Sequence, residues 1–211
     1  MKKIKRLNKM EVFRNKMIDT IEHILINADQ IPKKCIGISE REDLEVLTSR
    51  TLNHKKVDKK KIFDIFSINS KSINIGIDMF LDHISKFKDI SDQQLKIASF
   101  IFVKILLTYG NIFSEANNYQ FKLFAGSLLI AHKFIDDIAF DLESFETITS
   151  IDFKDLQEIE MFTLELYLDS GGSSHLSKLH ACWMEVKNLS VHLLKPNSNK
   201  KDSMAAPIPT F

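Results

Sequence analysis

Cysteine, proline, glycine and net charge are all scarce in this sequence, and the few cysteines and the small net charge each exclude a class of protein. The 211 residues include two cysteines, four prolines and six glycines, and 29 Lys/Arg against 28 Asp/Glu leave a net charge of +1. Cys35 and Cys182 are too few for a disulfide framework, and neither lies in a Cys-x-x-Cys pair, which favours a reducing compartment. Because the charges nearly cancel, we predict no nucleic-acid partner. The length suits one domain with a core of its own.

Long apolar runs are also missing, which bears on where the protein resides. No apolar run reaches the roughly 18 residues that a membrane-spanning helix needs, and the best candidate, residues 97–107, contains Lys104. The first 16 residues hold seven Lys/Arg, but Asp19 and Glu22 follow where a secretory signal would need an apolar core. A mitochondrial presequence stays open as an alternative. We predict an intracellular protein, cytoplasmic or nuclear or both, with no membrane partner.

Alternation at period two, the pattern of a half-buried strand, is absent over any useful length, so the predicted class is all-α. The central feature is the stretch 119–137, where apolar side chains fall on every face of a helix. Such a helix is expected to lie inside other helices. Small residues at Ala125, Gly126 and Ala131 would let neighbouring helices approach its backbone closely. Lys133, in its last turn, must extend to solvent or meet a carboxylate.

Apolar spacing predicts further helices on both sides of this central one. They are expected at residues 11–27, 39–52, 77–88, 92–109, 118–135 and 153–168, with a short turn at 142–148 and a last amphipathic helix carrying Leu176, Leu179, Trp183, Val186 and Leu193. Ser91 and Gln94 have the spacing of a capping box ahead of the fourth of these helices. Gly110 is predicted to be its left-handed C-cap.

The chain divides into three predicted parts. Residues 1–62 are expected to be an N-terminal helical extension that ends in a basic linker. The five lysines between residues 53 and 61 favour a solvated loop, with a nuclear-import signal as the alternative. Residues 63–194 are expected to form the main domain together with a C-terminal helix. The tail, 195–211, contains three prolines and is predicted to be disordered.

Clusters of reactive side chains give little support for an enzyme. The three aspartates within residues 136–141 faintly resemble the magnesium–diphosphate site of isoprenoid synthases, but no second acidic cluster appears at a matching spacing. The His and Cys residues within 175–192 fit no zinc pattern. The Ser/Gly stretch 170–174 lacks the lysine of a phosphate loop. Without a nucleophile–base pair either, we predict no catalytic activity, metal or cofactor.

Three motifs between residues 75 and 168 resemble those of one family. Residues 75–84, Ile-x-Ile-x-x-Phe-Leu-x-x-Ile, look like an opening helix usually written Ile-Ser-Ile-x-x-Tyr-Leu-x-Arg-Ile. Residues 131–137, Ala-His-Lys-Phe-Ile-Asp-Asp, are similar to the signature Ala-x-Lys-Phe-x-Asp-Asp. Phe145 then falls on a central aromatic and Ile159–Glu160 on a Leu-Glu pair. Together these motifs resemble the cyclin box, most closely that of the small P/U-type cyclins that include the phosphate-pathway cyclins.

The resemblance implies a cyclin-box bundle of five helices around the central helix, with flanking helices at both ends. It also implies a regulatory subunit of the cell-cycle type, which forms a heterodimer with a cyclin-dependent protein kinase and activates it without catalysis of its own. By position, Lys133 and Glu160 match the pair that anchors kinase backbone. Phe134, Asp136 and Leu164 fall at or near positions that face the kinase. An adaptor with the same fold that activates no kinase is the alternative.

Lys133 and Glu160 are also expected to meet within this chain. Glu160 lies between Ile159 and Phe162 on a helix with much apolar surface, so its carboxylate needs a partner as well. The turn expected near residues 138–151 should fold the two helices against each other. We therefore predict charged groups within about 8 Å, close enough for a direct or single-water bridge.

Overall fold

Eight α-helices make up nearly all of the backbone that the computed structural model describes, which covers residues 2–31, 57–67, 77–86, 90–116, 118–136, 142–171 and 179–194. No strand occurs within these ranges, and the predicted all-α class is confirmed. The helices are α1 (Lys2–Ile26), α2 (Lys59–Phe66), α3 (Ile77–Lys86), α4 (Asp92–Phe113), α5 (Tyr119–Ile135), α6 (Leu142–Thr149), α7 (Phe153–Asp169) and α8 (Leu179–Leu194). The helix predicted over 39–52 and the tail from residue 195 lie outside the described residues.

Helix α5 occupies the centre of the bundle, as its all-round apolar sequence predicts. From Tyr119 to His132 every residue is buried except Gln120 and Lys122. Its main neighbours are α4 on one side and α7 on the other. The expected burial of the central helix is therefore confirmed. The exposed residues of the helix, Lys133 and Phe134, both lie in its last turn.

Helix α4 begins as predicted but ends later. The capping box is present, because Ser91 Oγ accepts from the Gln94 backbone N–H while Gln94 Oε1 accepts from the Ser91 backbone N–H. The prediction that Gly110 caps the helix is wrong: Gly110 is buried within α4, which continues to Phe113. The Phe113 ring lies 5.2 Å from that of Phe66 and 5.1 Å from that of Tyr119. Aromatic packing thus carries the helix one turn past a residue that would otherwise favour its end.

The first and last helices pack back on the bundle. Buried side chains of α1, among them Met17, Ile21 and Leu25, join the same core as those of α4 and α5. Helix α8 packs on α4 and α1 and buries Trp183 and Val186. The expected packing of the C-terminal stripe is found for Trp183, Val186 and Leu193, which are all buried, whereas Leu176 lies outside the described residues.

Arg14 links α1 to the junction between α3 and α4. Its guanidinium donates to the carbonyl oxygens of Ile84 at 3.3 Å and Ile90 at 2.9 Å, and to the Asp92 carboxylate at 2.9 Å. The side chain therefore satisfies a carbonyl in the last turn of α3, the carbonyl of Ile90 just before α4, and a first-turn acid of α4. The N-terminal helix is thereby held against the bundle by directed hydrogen bonds as well as by apolar contact.

By length and composition alone, α4 is apolar enough to cross a membrane. Lys104 interrupts the apolar run in α4, but the mean hydropathy over 18 residues remains high enough despite it. Inside the protein, 72% of that 18-residue window is buried. Core helices of this kind share the length and composition of membrane spans, and the apolar surface of α4 is used for packing within the bundle.

Candidate functional site

The last turn of α5 and the middle of α7 bring the two predicted charges together. Lys133 Nζ lies 2.6 Å from Glu160 Oε1 and 2.8 Å from Oε2, so one ammonium bridges both carboxylate oxygens. The predicted proximity is confirmed. The Lys133 side chain is 43% exposed and that of Glu160 is 13% exposed. The pair therefore lies at the rim of the bundle, where a partner could cover it.

A close approach of α5 to α7 places this pair. A Cβ atom added at Gly126 would overlap Thr163 Oγ1 and would lie 2.8 Å from Ile159 Cγ2, so only glycine fits without a shift. Gly126 precedes Lys133 by two helical turns, and Ile159 and Thr163 flank Glu160. The expectation that small residues let helices approach the central backbone is thus met at Gly126. Close packing here sets the distance that the lysine must span.

Asp136 ends α5 and belongs to a small polar network. Its backbone N–H donates to the His132 carbonyl, which makes Asp136 the C-cap of the helix. Its Oδ2 atom lies 2.6 Å from Gln94 Nε2 and 2.7 Å from His132 Nδ1. Burial lowers the pKa of His132 from its usual value, and the Asp136 carboxylate partly opposes that shift. The network fixes one oxygen of Asp136 and leaves the side chain partly open to solvent.

Phe134 follows Lys133 and presents its ring to solvent. Its side chain is 61% exposed, which is high for an aromatic residue next to a buried helix. On α7, the residue after Glu160 is also apolar and exposed, since Met161 is 67% exposed. The ion pair is therefore bordered in sequence on both helices by an exposed apolar side chain.

Leu164, the last of the predicted site residues, lines a groove between α2 and α7. The groove has a volume of about 710 Å³. It is lined by Lys61, Asp64, Ile65, Glu158, Met161, Phe162, Leu164, Glu165 and Leu168. Glu160 lies one helical turn before Leu164 on the same side of α7. The ion pair and the groove therefore form one continuous candidate surface.

Several residues of this surface were not identified from the sequence. Gln94 was recognised only as a helix cap, and its contact with Asp136 joins residues 42 positions apart. Met161 and Leu168 did carry a signal: with Leu164 they form a second apolar stripe on α7, separate from the buried stripe of Leu156, Ile159 and Phe162. A helix with two apolar stripes has more apolar surface than its own core can cover.

Within the described residues, no group of three or more His, Cys, Asp and Glu side chains could hold a metal ion. Asp137 and Asp141 of the aspartate cluster lie outside those residues. No protein-family model, no curated protein and no solved structure matches the chain. The features that bear on function are therefore the motifs and the geometry of the ion pair and the groove.

Proposed function

We propose that the protein is a cyclin-like regulatory subunit, which binds a cyclin-dependent protein kinase inside the cell and activates it without catalysing a reaction itself. In this proposal α3 to α7 are the five helices of the cyclin box, α5 is the central one, and α1, α2 and α8 flank it. The observation that carries the proposal is the Lys133–Glu160 ion pair at the rim between α5 and α7. Motif and geometry agree on the same two residues, which lie far apart in the sequence.

The geometry of the pair suits the capture of a partner's backbone. An ammonium has three protons, and the two oxygens of Glu160 use no more than two of them. Each carboxylate oxygen retains a lone pair as well. The pair can therefore accept from a backbone N–H and donate to a backbone carbonyl of a docked helix. Exposed Phe134 and half-buried Leu164 add apolar contact beside it.

Activation would follow from what the docked helix does. In the proposed complex the surface holds the regulatory helix of the kinase in its inward position, where the helix glutamate pairs with the phosphate-binding lysine. The regulatory subunit supplies binding energy and geometry only. A preformed surface suits that role, and the burial of α5 together with the Gln94–Asp136 contact holds the end of α5 in place.

Alanine substitution of the pair tests the proposal. In the free protein the ammonium side of the pair is open to solvent, with Lys133 43% exposed, so the pair contributes only about 0.2–1 kcal/mol and Lys133→Ala and Glu160→Ala should fold normally. Desolvated beneath a partner, loss of one member should cost about 2–5 kcal/mol, which is roughly 30-fold to several-thousand-fold in affinity. Kinases captured from a lysate and identified by mass spectrometry supply the partner for calorimetry and activity assays. Lys86→Ala, which breaks the exposed Lys86–Asp82 pair on α3, is the matched control.

The outcomes separate the proposal from its rival. A double variant, Lys133→Ala with Glu160→Ala, that activates the kinase normally would contradict the proposal. A complex that depends on the pair but leaves kinase activity unchanged would favour the adaptor alternative instead.

A further inference from the structure

We infer that the groove between α2 and α7 binds a basic amphipathic helix of the partner protein. This inference rests on the proposed function and names the chemistry of the segment that the surface takes. The floor of the groove is defined as Met161, Leu164 and Leu168, and its acidic rim as Asp64, Glu158 and Glu165. Apolar side chains of the incoming helix would cover the floor while its Lys or Arg side chains face the rim.

The floor has the dimensions of a helix-binding surface. Met161 and Leu168 are 67% and 52% exposed, with half-buried Leu164 between them. Spacings of three and four residues place all three on one side of α7. Seven residues of helix span about 10 Å, or two turns, so an incoming helix of about three turns would cover the floor. Apolar stripes of this kind are the usual partners of amphipathic helices laid into grooves.

The rim selects the charge of the occupant. Three carboxylates and one ammonium, that of Lys61, line the groove, so its net charge is 1 − 3 = −2 although the whole chain carries +1. This local excess disfavours nucleic acid and anionic lipid, both of which would be repelled. It favours a peptide segment with cationic side chains beside its apolar ones.

Lys61 already makes the kind of contact that a partner's cation would make. Its Nζ atom lies 4.2 Å from the centre of the Phe162 ring and 3.5 Å from Glu165 Oε2. A cation over an aromatic face beside a carboxylate is favourable on both counts. The groove therefore already accommodates an ammonium group between the Phe162 ring and Glu165 in the free protein. Asp64 and Glu158, both exposed, would receive the partner's cations.

Two synthetic peptides test the inference without any kinase. Each is a fluorescein-labelled amphipathic helix of about 16 residues, long enough to form a helix. Both carry the same leucine stripe, and the polar positions are lysine in one and glutamate in the other. In a fluorescence anisotropy titration at low salt, the lysine peptide should bind the full chain at least about 10-fold more tightly than the glutamate peptide, because several rim pairs change sign. Added salt should weaken its binding.

Substitutions in the groove test the contributions of the acidic rim and of the floor to peptide binding separately. Asp64→Asn with Glu158→Gln removes two rim charges without changing shape and should weaken the lysine peptide about 2- to 30-fold, from about 1.4- to 5-fold for each rim pair. Met161→Ala with Leu168→Ala should weaken both peptides at least about 10-fold, because less apolar surface is buried. All four side chains are exposed, so circular dichroism should show an unchanged fold.

Matched controls lie elsewhere on the surface. Met184→Ala changes a methionine on α8 that is 40% exposed, and Glu143→Gln neutralises an exposed acid on α6. Neither residue lines the groove, so both variants should bind the lysine peptide as the unchanged protein does.

The inference is overturned by any of three results. The first is equal affinity for the two peptides, and the second is an unchanged affinity for the lysine peptide in Asp64→Asn with Glu158→Gln. The third is a dimer of this chain in sedimentation that Met161→Ala with Leu168→Ala abolishes, which would show that the floor binds a second copy instead. Lys133→Ala distinguishes this inference from the proposed function. Unchanged peptide binding with normal kinase activation in that variant refutes the proposed function alone, whereas absent peptide binding in a protein that still activates a kinase refutes the groove alone.

Discussion

Replacement of Gly126 by alanine would test whether the close contact between α5 and α7 requires a residue without a Cβ atom. The added Cβ would overlap Thr163 Oγ1 and lie 2.8 Å from Ile159 Cγ2, where van der Waals contact requires more than 3.4 Å. Both neighbours are short, buried side chains on a packed helix and cannot swing away. The two helices would therefore have to separate by several tenths of an ångström.

The magnitude follows from two opposing effects. Overpacking of a core by one methyl group typically costs about 1–3 kcal/mol, and the severe overlap here favours the upper end. Alanine is a better helix former than glycine by about 1 kcal/mol, which offsets part of the cost. We expect a net loss of about 2 kcal/mol in the free energy of unfolding. For a domain of this size that corresponds to a fall of about 4–8 °C in Tm.

Urea denaturation of Gly126→Ala, Thr163→Ala and the double variant measures the effect. Thr163 Oγ1 is buried without a hydrogen-bond partner, so its removal relieves the closest overlap, leaves that with Ile159 Cγ2, and exposes no donor or acceptor that was satisfied. The double variant should thus be more stable than the sum of the single changes predicts, by about 1 kcal/mol or more. If Gly126→Ala were as stable as the unchanged protein, or if the two changes were additive, the close-approach argument would be refuted.

Two further predictions concern polar side chains of α5. Because burial lowers the pKa of His132, the unfolded chain binds a proton more readily than the folded one, so stability should fall as the pH drops below the ordinary histidine value of about 6.5. The charges that face the ring are Asp136 and Lys133. In urea titrations between pH 7.5 and 5.5, the stability of His132→Gln should depend less on pH than that of the unchanged protein. An equal dependence on pH in the two proteins would contradict this prediction. Lys122 Nζ donates at 3.0 and 3.3 Å to two carbonyl oxygens at the end of α2, so Lys122→Met should lose about 1–3 kcal/mol of stability. The exposed Lys154→Met is its control, and equal stability of the two variants would count against this capping role.

The sequence predicts the central helix and its ion pair well, for physical reasons that are local. Within a helical bundle, a stretch that is apolar on every face is stable only where other helices surround it. Lys133 and Glu160 each lie in apolar surroundings along their own helix, and each therefore needs an opposite charge. Because both charges lie in one small domain, an ion pair between them is the simplest expectation.

The features that the sequence does not predict depend on how whole helices dock. Gly110 looks like a helix end, but the packing of Phe113 on two other aromatic rings overrides that local preference. The groove exists only because α2 lies beside α7, and no property of either helix alone determines that arrangement. The second contact of Gln94 likewise requires the start of α4 to lie beside the end of α5.

The Gln94 side chain contacts both the start of α4 and Asp136 at the end of α5, and this double contact has a thermodynamic consequence. Its oxygen completes the first turn of α4, while its nitrogen holds Asp136 at the candidate site. Fraying of that turn therefore also breaks one of the two side-chain contacts that hold the aspartate, the other being with His132. By linkage, a partner that holds Asp136 in place must also suppress the fraying, to the same extent that an intact turn favours the partner. The amide protons at the start of α4 thus become a reporter of occupancy at a surface to which they do not belong.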